Sequence, residues 1–112
     1  MPDNPVLNPA AGLAACGYLA DLHRQLAVVL AGDLTERIRA TLQAVEAGSL
    51  DQARLCAHRH RGACVTIGAM ELANLFYFIE DAGIRGDAAQ ATLYVDLLPA
   101  AAERFREAIG RL

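Results

Sequence analysis

Residues 49–68 read Ser49-Leu50-Asp51-Gln52-Ala53-Arg54-Leu55-Cys56-Ala57-His58-Arg59-His60-Arg61-Gly62-Ala63-Cys64-Val65-Thr66-Ile67-Gly68. Ser49 stands three residues before Gln52, a pair whose side chains can satisfy orphan amides in the first turn of a helix. The pair launches a helix that runs to about Ile67. Gly68 suits the left-handed residue that stops one.

The same punctuation repeats outward in both directions. Upstream, Asp33 precedes Glu36 by three, and Ile38, Leu42 and Val45 form one apolar stripe, while Glu36, Arg37, Arg39 and Gln43 face away. Gly48 ends that segment. Further back, Cys16, Leu19, Leu22, Leu26, Val29 and Leu30 recur at helical spacing until Gly32. Downstream, Leu72, Leu75, Phe76 and Ile79 predict a helix over roughly 69–82, ending near Gly83. Asp87 and Gln90 then cap a last helix, whose stripe is Leu97, Leu98, Ala101, Phe105 and Ile109. Pro99 inside it removes an amide and crowds the preceding turn, so a kink or split is expected there.

No alternating β pattern of useful length interrupts these segments. Long helices joined by short links favour antiparallel neighbours. The predicted fold is therefore all-α, an up-down antiparallel four-helix bundle with an additional N-terminal helix. Residues 1–10, with Pro2, Pro5 and Pro9, read as an extended lead-in or linker, and 11–112 as one bundle domain. Such a start suits either a free-standing protein or a domain cut from a larger one.

Composition narrows the function. The chain has 112 residues, 54% hydrophobic and 21% charged, enough to bury a core and stay in solution. No apolar run approaches the ~18 residues of a membrane span. Met1-Pro2-Asp3-Asn4-Pro5 lacks the basic and apolar regions of a secretory signal, so the cytoplasm is the default location. Every one of the ten basic residues is Arg, which removes Lys-based Schiff bases and phosphate loops, and Ser49 is the single serine. A net charge of −3 argues against non-specific nucleic-acid binding. Cys16, Cys56 and Cys64 are too few for a disulfide scaffold and read as reduced core thiols.

Chemistry concentrates between Cys56 and Cys64. Their spacing with His58 and His60 prompts a metal site. At ~100° per residue, however, Cys56, His60 and Cys64 share one helix face while His58 points nearly the opposite way. His60 reads as a packed ring with one nitrogen satisfied locally, on the face turned toward the core. His58 fits that description poorly. Arg54 and Arg61 flank it one turn away on either side, and Gly62 follows at i+4, with Val65 a turn beyond. Glycine in mid-helix costs ~1 kcal/mol relative to alanine, and space beside the imidazole is the obvious compensation. An exposed ring, a guanidinium to neutralise phosphoryl oxygens and a clear approach path are what a phosphoryl-accepting histidine needs.

Ala57-His58-x-x-Arg61-Gly62, Gly68-Ala69-x-x-Leu72-Ala73, Ile79-Glu80 and Gly86-Asp87 together resemble the histidine-containing phosphotransfer (HPt) domains of multistep two-component phosphorelays. The resemblance covers about residues 13–110. It implies a four-helix bundle with the phosphorylated histidine at position 58. Family members usually carry Lys where Arg61 stands and an aliphatic residue, often Leu, where His60 stands. Some similar domains place a hydrogen-bonding residue at the position of Glu80, which implies that Glu80 accepts from Nδ1–H of His58 and leaves Nε2 as nucleophile. Tyr77, one turn earlier, would border the site.

The expected role is a phosphorelay intermediate that takes a phosphoryl group from a receiver-domain aspartyl phosphate and passes it to another receiver Asp. Without a nucleotide loop the chain should have no kinase activity of its own. No cofactor or metal is expected in it, the Mg²⁺ lying on the partner receiver. Partners would be response-regulator receivers, with neither nucleic acid nor membrane insertion involved. Docking is expected on the His58 face, with Arg54, Arg59, Val65 and Tyr77 around it. The competing reading is a non-catalytic helical interaction module with an ion at Cys56, His60 and Cys64.

Overall fold

The computed structural model describes residues 5–112, so the first four residues of the expected lead-in lie outside the described residues. Five helices follow in order: α1 Pro9–Ala15, α2 Ala20–Glu46, α3 Leu50–Ile67, α4 Met70–Arg85 and α5 Ala88–Ile109. Among the described residues there is no strand. α3 packs between α2 and α4, α5 closes the bundle against α4 and α2, and α1 lies on α3. The loops between the four long helices are two or three residues, so neighbours run antiparallel. Phe76, Phe105, Leu34, Leu72, Ile79 and Leu98 fill the centre.

The capping signals mark helix ends unevenly. Asp87 accepts from the Gln90 amide at 3.0 Å and opens α5. Ser49 occupies the N-cap of α3 without a side-chain bond. Gly68 ends α3 at φ 86°, and its amide and that of Ala69 both return to the Cys64 carbonyl.

Four expectations about the elements are corrected. Gly32 and Asp33 do not separate two helices, because α2 runs unbroken through both. Its buried face is His23, Ala27, Leu30, Ala31 and Leu34, a period that crosses Gly32, and this packing outweighs the propensity cost of one glycine. Of the apolar residues recurring at helical spacing, Leu19, Leu22, Leu26 and Val29 are exposed. Secondly, α4 passes through Gly83 to end at Gly86 (φ 69°). Gly83 is buried, and a methyl there would stand 3.0 Å from Arg54 Cβ and from the Leu50 carbonyl, so its size lets α4 approach α3. Thirdly, Pro99 does not split α5: it sits on the solvent side of a continuous helix. Leu97 of the expected stripe is likewise exposed.

The fourth correction concerns the lead-in. α1 already begins at Pro9, with Asn8 as its N-cap accepting from Ala11, and Val6 and Leu7 pack against the core. The Asn8 amide donates to the Gly68 carbonyl at 2.7 Å, and buried His23 donates from Nε2 to the Ile67 carbonyl at 2.8 Å. Gly12 is pressed so closely on Ile67 and His23 that no side chain would fit. These contacts satisfy orphan carbonyls at the end of α3 and anchor the N-terminal segment on the helix that carries His58.

Candidate functional site

α3 and α4 approach closely at Gly83, and their antiparallel register sets the site. Position 54 meets 83, 58 meets 80 and 61 meets 77, numbers rising on one helix as they fall on the other. His58 stands on the outer face of α3 with its side chain 62% exposed. Its Nδ1 lies 2.8 Å from Oε2 of Glu80, a carboxylate only 15% exposed. A carboxylate oxygen only accepts, so this contact places the ring proton on Nδ1. In the neutral ring Nε2 then carries the lone pair.

Arg61 completes the group. Its Nε is 3.6 Å from Oε1 of Glu80, an ion pair too long for a hydrogen bond, and that buried oxygen has no other polar partner. Its guanidinium carbon lies 5.5 Å from the centre of the Tyr77 ring. Gly62 is exposed, and beyond its own turn of helix no atom of the described residues lies within 4 Å of where a methyl would be. Val65 and Tyr77 are both about half exposed. His58, Arg61, Gly62, Val65, Tyr77 and Glu80 thus share one surface.

The other arginines sit differently. Arg54 lies one turn below His58 and reaches Asp51 at 3.9 Å. Arg59 is exposed, and its charge acts on His60. His60 is 6% exposed, tilts against Phe76 and accepts at Nδ1 from Arg37 at 2.8 Å. Burial first, then the charges of Arg37 and Arg59, lower its pKa to about 4. The ring is neutral at pH 7 and shielded from any visitor. Burial pushes the Cys64 thiol up to about 12. Among the described residues no three His, Cys, Asp or Glu side chains gather to hold a metal ion, so the alternative at Cys56, His60 and Cys64 has no geometric support.

Two features escaped the sequence reading. Arg37 was expected to face solvent but reaches under α3 to His60, a direction that the period of α2 shows only once the buried face is known. Leu26 and Val29, read only as part of an apolar recurrence, line a groove of about 170 Å³ with Asp33, Ala63 and Thr66, between α2 and α3. Runs of large apolar residues beside an alanine face were the available signal.

Two solved structures share this fold. Histidine-containing phosphotransfer protein B (HptB) from Pseudomonas aeruginosa PAO1 superposes with a TM-score of 0.84 at 22% identity, over 97% of this chain and 95% of that one. The HPT domain from the Hpt sensor hybrid histidine kinase of Shewanella gives 0.76 at 18% identity, over 98% of each chain. No family model matches the chain, and neither does any curated protein. The fold is therefore that of histidine-containing phosphotransfer domains, over nearly its whole length. No helix among the described residues is long and apolar enough to cross a membrane.

Proposed function

We propose that the protein is a phosphorelay intermediate in which His58 carries the phosphoryl group between receiver domains. The observation that carries the reading is one exposed imidazole whose Nδ1 is held by Glu80, leaving Nε2 toward solvent beside Arg61 and Gly62. The Nε2 lone pair attacks phosphorus of a receiver's aspartyl phosphate, the P–O bond to the aspartate breaks, and the carboxylate leaves with the electron pair. The Nδ1 proton stays on the ring against Glu80. In the second transfer an incoming aspartate attacks phosphorus and the P–N bond breaks, returning the pair to Nε2. Arg61 neutralises phosphoryl oxygens, and the gap at Gly62 admits the partner. The chain then contributes positioning and charge. It brings no kinase activity and no cofactor of its own, the divalent cation being expected in the receiver's acidic site.

The test incubates the protein with receiver domains carrying labelled aspartyl phosphate. Wild type and H60L should acquire acid-labile label, while H58A should acquire none. Label retained by a folded H58A, or absent from wild type with every receiver, overturns the proposal and leaves a non-catalytic helical interaction module.

A further inference from the structure

We infer that Tyr77 is a positioning residue for Arg61, its ring holding the guanidinium where it meets the phosphoryl group on His58. This rests on the phosphotransfer reading and specifies how its cationic partner is oriented. An arginine on a partly exposed helix face has many rotamers to choose among. The pair with Glu80 cannot fix the guanidinium plane, since 3.6 Å leaves a charge attraction without a directed bond. The ring of Tyr77 can, because a guanidinium at 5.5 Å from the centroid is within cation–π range.

The ring is itself held. Tyr77 makes an edge contact with Phe78 at 5.6 Å, and Phe78 stacks on Tyr94 of α5 at 5.1 Å. A row of three rings therefore runs from α5 across α4 to the arginine on α3. The core does not require Tyr77, which is 46% exposed. The residue types fit each other as well: a planar guanidinium stacks and presents a fork of N–H donors, whereas a lysine ammonium is a point charge that needs no such platform. With Nε on the Glu80 side and the guanidinium carbon over the ring, the terminal nitrogens are left for phosphoryl oxygens.

Phosphoramidate provides the test, because a small donor needs no docking surface. Its P–N bond breaks as the bond to Nε2 forms, and ammonia departs with the electron pair. Labelling of His58 should be about two- to fivefold slower in Y77L, the size of an exposed cation–π contact. Y77F should keep the wild-type rate, since the stack uses the ring alone. R61K should slow labelling as Y77L does, and adding Y77L to R61K should change nothing further. Melting curves for each variant check the fold, and R61K keeps the test open should Y77L lose stability. Wild-type labelling by folded Y77L, or an equal slowing by Y77L in the R61K background, overturns the inference. Wild type that takes no label from either phosphoramidate or receivers fails the phosphotransfer reading instead.

Discussion

At the scale of single residues, the arrangement turns on which nitrogen of His58 has a lone pair. A carboxylate at 2.8 Å from Nδ1 stabilises both the neutral tautomer with its lone pair on Nε2 and the positive ring that the proposed transfer would produce. A neutral amide would preserve the geometry and lose the charge. Hydrogen bonds to charged groups exceed neutral ones by ~1 kcal/mol, so E80Q should accept label about fivefold more slowly than wild type. The check is the initial labelling rate from a phosphorylated receiver, alongside a melting curve. An unchanged rate would reject the role of Glu80. His58 and Arg61 were legible from local spacing, because both lie within one turn of one helix. The pairing with Glu80 became legible only through resemblance, since 22 residues separate the partners and a register between helices is not written in either helix alone. The stack of Arg61 on Tyr77 was not legible at all, because spacing says nothing of rotamers.

At the scale of elements, the second histidine shows how one helix face is spent on stability. His60 binds no proton in the folded protein until about pH 4, whereas the unfolded chain takes one up near 6.5. Between those values the unfolded state holds more protons, so this site's contribution is complete above the unfolded pKa. It declines as pH falls and levels off below about 4. H60L removes the titration while keeping an apolar volume beside Phe76. Comparing denaturant unfolding at pH 7 and pH 4.5, wild type should lose about 2 kcal/mol more than H60L. Equal losses would mean that the ring is protonated in the fold without penalty. Helix existence was legible for the same reason that His60 was assigned inward: amphipathic periodicity survives in isolation. The limits of α2 and its inner face were not, because His23, Ala27 and Ala31 share the buried side with Leu30 and Leu34 while Leu22, Leu26 and Val29 face water. Close helix approach, at Gly83 as in the alanine face of α2, decided what local propensity left open.

At the scale of the whole molecule, the outward residues of α2 bear on the docking that the proposed function requires. Leu26 and Val29 on α2 line a groove with Ala63 and Thr66 of α3, the helix that carries His58. Exposed apolar side chains beside arginines form the kind of modest, mixed patch that suits a transient partner with an acidic site. If this patch docks receivers, damage to it must affect transfer between proteins and spare the chemistry of the histidine. L26N provides the separation. Leu26 is 38% exposed, so stability should stay within ~0.5 kcal/mol of wild type by thermal or chemical unfolding. Phosphoramidate should label L26N at the wild-type rate, because a small donor does not touch α2. Transfer from a phosphorylated receiver should fall about three- to tenfold at concentrations below saturation, and recover as the receiver is raised, since the loss of a peripheral apolar contact costs on the order of 1 kcal/mol in binding. R54E, which reverses a charge one turn below His58, should slow the same transfer most at low ionic strength and least at high salt. An L26N protein that matches wild type with every receiver would remove α2 from the footprint and confine docking to α3 and α4.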